Sequence, residues 1–468
     1  MTVQSVSRRL PIGEGASGPL TLWVAIAAGS GIAVGAAASV SPTGAIALAA
    51  AIALLIWVIP RPAIILIVLI GSVFVQVITV GGVTIARICA PIALLLVVIA
   101  LLRRKATLLP AAPLGWAAAY ALWAVASGLW TAHLGSTLTQ LASLAIALVY
   151  MLAFATLLDN RDDMNRVLYT IAFVAFAVGI YGTVASQGRA GTDTGDANFF
   201  ALVEIVALPL VLALAADVRA RWLRGALYGV VLVIIAAVFS SLSRGGLIAL
   251  GIAVLGVIAL PSRTFFRSPR QKVVVLLILA VAVFGAYKLT SQALSKRVEE
   301  VFTAQGRTGS GRLNAWRAAY TSINERPFDG LGYGGFEASA NDLMLRTPGV
   351  DLSNFRLRPN GLEAHSAYIG TLADLGIPGL VLFLGLLAST ITTIRRAAIT
   401  ASRAGALSTA RLSYALLISF VGWAVASIFL SSETFRPPWI VIGIALALPK
   451  LIADETRRQR DQQAGDQL

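Results

Sequence analysis

The sequence predicts an all-α protein threaded many times through a membrane, and three observations carry that expectation. Of 468 residues, 57% are hydrophobic and only 13% charged, where a soluble chain carries roughly a quarter charged. Mean hydropathy is +0.82. Apolar windows of roughly 17 to 23 residues recur along the whole length, each matching the roughly 20 residues that cross a bilayer as a helix. Basic residues alternate between connections. Together these exclude a secreted enzyme, a DNA-binding protein and a β-barrel.

Taken in order, the windows predict spans at 20–40, 43–59, 62–80, 88–102, 112–129, 137–158, 165–185, 197–216, 225–241, 246–260, 272–289, 376–394, 412–430 and 437–452. That gives fourteen, or twelve if the closely spaced pairs near Pro42 and Arg61-Pro62 are merged. With the N-terminus in the cytoplasm, 23 of the 37 basic residues fall on inner connections and 9 of the other 14 in one long outer segment. The positive-inside rule is satisfied. The net charge of +15 is therefore topology, and nucleic acid is not needed to explain it.

The expected organisation is a cytoplasmic arm over 1–19, a bundle of about eleven spans over 20–289, a large extracytoplasmic loop over 290–375, three last spans over 376–452 and a cytoplasmic tail over 453–468. Arg8-Arg9 belongs to the arm. Cys89, the single cysteine, excludes disulfides within the chain and cysteine-cluster metal sites, and reads as a packing residue.

Polar information gathers on the outer face. From Arg312, the apolar positions Leu313, Trp316, Tyr320 and Ile323 predict an amphipathic helix lying on the membrane surface and ended by Pro327. Gly330-Leu331-Gly332-Tyr333-Gly334-Gly335-Phe336 permits tight turns, either covering the bundle or approaching phosphate or sugar. Residues 342–359 read as polar and aperiodic. A further apolar helix is expected from near Leu372, placing Glu363, His365 and Tyr368 at its outer mouth.

Ser243-Arg244-Gly245-Gly246 interrupts an apolar stretch and puts a guanidinium at the end of a span. An ionisable group there is a functional candidate by default. The 186–198 connection holds Arg189, Asp193, Asp196 and Asn198, and reads equally as a solvated loop or a site. Arginine offers a permanent charge and a planar fork of donors for phosphate oxygens. Histidine takes a proton near neutral pH. The combination suits transfer of a group from a diphosphate. His133, in a short loop, reads as a surface residue, and no HExxH or comparable metal motif is present.

These motifs, in order, resemble the O-antigen ligase superfamily, which also holds Wzy-type polymerases and O-oligosaccharyltransferases. They are Arg189 with Asp196-Ala197-Asn198, Ser243-Arg244-Gly245-Gly246, Gly311-Arg312 with Trp316, Pro327-Phe328-Asp329-Gly330-Leu331-Gly332, His365-Ser366-Ala367-Tyr368, and Leu375-Gly376-Ile377-Pro378-Gly379-Leu380. The family often has proline where Ala197 stands. The resemblance implies a GT-C-type, inverting, metal-independent and cofactor-free glycosyltransferase of the bacterial plasma membrane. Its donor would be glycan on undecaprenyl diphosphate, and its acceptor a glycan, lipid or protein. On this chain His365 would be the general base, Arg244, Arg312 and Arg189 the diphosphate ligands, and Trp316, Tyr368 and Glu363 candidate sugar or acceptor contacts. The alternative is a transporter or flippase of a lipid-linked glycan. That alternative calls for basic residues along a cavity crossing the bilayer, whereas here they crowd on one face.

Overall fold

In the computed structural model, the protein is described for residues 62–74, 79–80, 83–103, 111–184, 190–191, 196–266, 307–350 and 361–465, with parts of 268–288. The first two expected spans and Arg189 lie outside the described residues. So do Asp193 and most of the 342–359 stretch beyond Val350.

The apolar windows become helices α1 (Pro62–Phe74), α2 (Ile85–Leu102), α3 (Ala112–Ala126), α4 (Leu134–Leu157), α5 (Arg161–Val184), α6 (Ala197–Asp217), α7 (Arg221–Ser240) and α8 (Arg244–Ala259). A four-residue helix, α9 (Ser262–Phe265), follows. Then come α10 (Arg307–Glu325), α11 (Gly335–Arg346), α12 (Ala367–Arg403), α13 (Leu407–Ala426) and α14 (Arg436–Gly465). Among the described residues, nine helices are long and apolar enough to cross a membrane, and 63–74 and 244–259 are shorter apolar helices. The protein is an all-α polytopic membrane protein. Helix α6 is its axis, with nearly every side chain buried, while α2, α3 and α7 turn leucines, valines and a tryptophan outward, as a lipid-facing ring requires.

Three expectations change. The 62–80 window ends as helix at Phe74, and Thr79–Val80 pairs antiparallel with Val83–Thr84. β-Branched residues around Gly81-Gly82 carry a hairpin signal that a hydropathy window does not register. Helix α10 begins at Arg307 and stops before Pro327, and it packs on the chain through Ala315, Ala318, Ala319 and Ser322, leaving Leu313 and Tyr320, of the face expected on the membrane surface, 50% and 66% exposed. Small side chains allow closer backbone approach than large apolar ones, so the alanines set that contact. They pack with Phe336, Ala340, Leu343 and Met344 of α11, a helix not expected from the sequence. Finally, the 453–468 stretch is helical to Gly465, as the continuation of α14.

At one end of the bundle, that continuation is held by ion pairs. Asp454 accepts from the Arg161 backbone N–H and from Arg457, Arg458 reaches Asp162, and Lys450 reaches Asp159. Asp217, ending α6, takes Arg161 Nη2 at 2.7 Å, with Arg411 and the Ser408 hydroxyl on the same carboxylate. All these residues belong to connections expected on the inner side. The opposite end carries the turns between α3 and α4, α7 and α8, and α13 and α14, under residues 312–350 and 361–366.

Asp217→Ala should cost about 3 kcal/mol, because it strands two largely buried guanidinium groups. The check is the thermal midpoint of the detergent-solubilised protein. Asp217→Asn, which keeps an acceptor, should lose less.

Candidate functional site

The segment 326–336 is threaded onto the bundle by its own backbone. Leu331 N–H donates to the Ala373 carbonyl and Gly332 N–H to the Asp374 carbonyl, at 3.0 and 2.8 Å. The Asp374 carboxylate then accepts from Gly334 N–H at 2.8 Å and Phe336 N–H at 2.7 Å. Gly330, at φ +64°, leaves no room for a side chain, since a Cβ there would lie 2.4 Å from the Asp374 carbonyl oxygen. The glycine-rich run thus lies on the bundle as a turn, and its Gly334 and Phe336 also line an adjoining cavity.

Membrane helices supply the other anchors. Trp130 Nε1 donates to the Asp329 carbonyl, Ser136 Oγ to the Gly334 carbonyl, and Tyr333 N–H to Ser127 Oγ. Trp123 Nε1 donates to the Leu375 carbonyl at 2.9 Å. Helix α12 breaks there, with Gly376 at φ 65° and ψ −169°. Its Cα side abuts the Phe328 carbonyl, and Ile377 N–H donates to Pro327. Residues 367–375 therefore form a separate first segment, which explains why a span read from hydropathy begins at 376.

His365 sits immediately before this segment. It adopts φ +51°, a left-handed conformation uncommon for side chains other than glycine and somewhat enriched for histidine. Ser366 is the N-cap and accepts from Ile369 N–H, so the cap is made by Ser366 and not by His365. The ring is 31% exposed, and its Nδ1 lies 3.9 Å from Glu363 Oε2. Burial, with the nearby Glu337 and Asp196 carboxylates, lifts Glu363 to about 7.

Two arginines reach the same end. Trp316 donates its indole N–H to the Ala364 carbonyl at 2.9 Å, and Arg312 stands four residues earlier on α10, about 6 Å along the axis. Arg244 opens α8 after its N-cap Ser243, which accepts from Gly246 N–H. The adjoining Gly245 faces Ala426 and Phe429, in the turn whose Leu430 carbonyl accepts from Ala367 N–H. Arg244 and His365 thus flank one turn. Tyr368 gives its hydroxyl proton to the Ala424 carbonyl at 2.6 Å, so Tyr368 and Trp316 both hold backbone in place. Asp196 caps α6 by accepting from Asn198 and Phe199 N–H, while Ala190 and Gly191 tie their loop to Ser240 and Gly182.

Between these elements lies a cavity of about 130 Å³ whose walls include Gln140, Glu337, Glu363, Asp374 and Glu433. Glu433 is pushed to about 8, chiefly by burial and further by Asp374, Glu363 and Glu337. Phe199 stacks near Phe435 at 5.0 Å, joining α6 to this wall. Sequence reasoning named Glu363 but missed Gln140, Glu337, Asp374 and Glu433. No local pattern links these residues, and only tertiary contact brings them together.

The fold and this polar end define a polytopic membrane protein with a chemically equipped site at one face of its bundle. The family model described as O-antigen ligase (Wzy_C) matches residues 229–384. That third of the chain is similar to O-antigen ligases of the Wzy-type superfamily, and it contains Arg244, Arg312 and His365. A comparison with curated proteins gives no match.

Two outcomes follow from this geometry. Asp374→Ala should release the Gly334 and Phe336 amides, raising their hydrogen-exchange rates by at least tenfold. Glu433 prefers its proton in the folded state, from an ordinary value of 4.5 to about 8, so it lowers stability as pH rises through that window and has no such effect below it. Glu433→Gln should therefore raise the thermal midpoint at pH 8 and leave it nearly unchanged at pH 4.

Proposed function

We propose that the protein transfers or polymerises glycan, moving it from an undecaprenyl-diphosphate-linked donor onto an acceptor hydroxyl. The observation that supports this most is the span of the O-antigen ligase match. It takes in both candidate diphosphate arginines and the candidate base, which the fold gathers at one end of the bundle. The site end is read as extracytoplasmic, in a bacterial plasma membrane, because the opposite end carries the basic connections. The acceptor is a glycan, a lipid or a protein.

In the step proposed, the acceptor hydroxyl oxygen attacks the anomeric carbon of the donor sugar. The bond from that carbon to the diphosphate oxygen breaks with inversion, and the hydroxyl proton passes to His365. Arg244 and Arg312, with Arg189 as a further helper, hold the diphosphate as its charge develops. Glu363, 3.9 Å from the imidazole, stabilises the imidazolium that forms. Trp316 and Tyr368 then act by fixing Ala364 and the first segment of α12, and Glu363 is the sugar or acceptor contact among the three. The chemistry is of GT-C type and metal-independent. Charge placement also disfavours a transporter. Among the described residues the side chains fully or nearly buried within helices include the carboxylates Glu204, Asp374 and Asp454, and no basic track crosses the bundle.

Arg244→Lys and Arg312→Lys should each lose most activity at unchanged abundance, because lysine cannot reproduce the bidentate fork. His365→Ala should lose roughly 10²-fold or more in rate while still binding undecaprenyl diphosphate. Purified protein with lipid-linked donor checks both. Full turnover by His365→Gln rules out the base, and abolition by chelator rules out the metal-free mechanism. A cysteine placed at Asp342 should be labelled by an impermeant reagent in intact cells. Labelling only after membrane rupture reverses the orientation.

A further inference from the structure

The cavity beside His365 has, apart from Glu363, a chemistry that the steps above do not use. Its polar lining comes from Gln140, Glu337, Glu363, Asp374, Ser431, Glu433 and Thr434, and among the described residues no lysine, arginine or histidine contributes to it. Phe199 and Phe336 add apolar faces. A carboxamide, hydroxyls and carboxylates beside an aromatic wall suit a ring with hydroxyls on its rim and C–H groups on its face.

A second observation points to something bound there. The Oε2 atom of Glu433 is buried and has no hydrogen-bond partner among the described residues. A buried polar atom left without a partner costs roughly 1–3 kcal/mol, and more when charged. A donor from outside the chain, entering the adjoining cavity, removes that cost. Burial and mutual repulsion already hold Glu363 and Glu433 above the ordinary carboxylate range. A bound cation relieves this repulsion, while a further carboxylate on the ligand adds to it.

We propose that this cavity receives a sugar residue of the acceptor, and that it selects an amino sugar over a neutral one and excludes an acidic one. The assignment of that sugar to the acceptor rests on the transferase reading above. Ala364 lines the cavity, so the His365 imidazole stands at its rim, where a hydroxyl of the seated sugar loses its proton. Glu433 and Glu337 are then positioning residues that hold the ring, and Glu363 faces both ring and imidazole.

The test uses the full chain in lipid nanodiscs and saturation-transfer NMR with three probes: methyl α-glucosaminide, methyl α-glucoside and methyl α-glucuronide. Saturation transfer should be strongest for the amino sugar, weaker for the neutral one and near background for the uronide. Glu433→Gln should lower the amino-sugar signal severalfold, to the level of the neutral glycoside. Thr434→Trp, which fills the cavity, should remove all three. The proposal is overturned by absence of transfer from every probe to the wild type, by a uronide signal equal to the amino-sugar signal, or by Glu433→Gln without effect. Transfer that survives Thr434→Trp overturns it too. Binding of undecaprenyl diphosphate is measured in the same nanodiscs. A wild type that orders the sugars as expected but takes no lipid diphosphate upholds the selectivity of the cavity and sinks the donor reading.

Discussion

One carboxylate organises the functional end of this molecule. Asp374 spends both oxygens on the Gly334 and Phe336 amides, while its own carbonyl and that of Ala373 receive Gly332 and Leu331. A turn with so many backbone groups lying on membrane helices needs partners for each of them, since burial without partners is costly. The break at Gly376 is the geometric counterpart. It frees the chain to present Asp374 sideways before α12 resumes its course, and its lack of a side chain admits the Phe328 carbonyl.

From that clasp the other placements follow. Fixing Gly334 and Phe336 sets the start of α11, which buries Phe336, Ala340 and Leu343 against the alanine face of α10. Helix α10 in turn carries Arg312 and Trp316, and the Trp316 indole pins Ala364. His365 is next in the chain. The left-handed backbone at His365 and the cap at Ser366 separate two tasks, holding the helix start and presenting the imidazole.

The two ends of the bundle use charge in opposite ways. At the basic end, Asp217 and Asp454 are matched by guanidinium groups, so charge there stabilises packing. At the other end, carboxyls face one another around a cavity that no basic side chain lines among the described residues, and burial raises Glu363 to about 7 and Glu433 to about 8. Groups held at such values cost stability and are characteristic of sites that bind or react.

The sequence by itself determined the membrane class, the order of the helices and the candidate charges, because these rest on local quantities: apolar run length, basic residues at run ends, and short motifs such as Ser243-Arg244 and His365-Ser366. It also placed the end of α10 at Pro327, which cannot continue a helix. Tertiary structure decided the rest. Hydropathy averages over a window, so it ran past the hairpin at Thr79–Thr84 and missed α11, whose mixed composition acquires an apolar face only against α10. The meeting of Gln140, Glu337, Glu363, Asp374 and Glu433 had no local signal. They come from separate helices and loops, and only the Asp374 clasp, folding one outer segment onto the bundle, brings them to the same cavity.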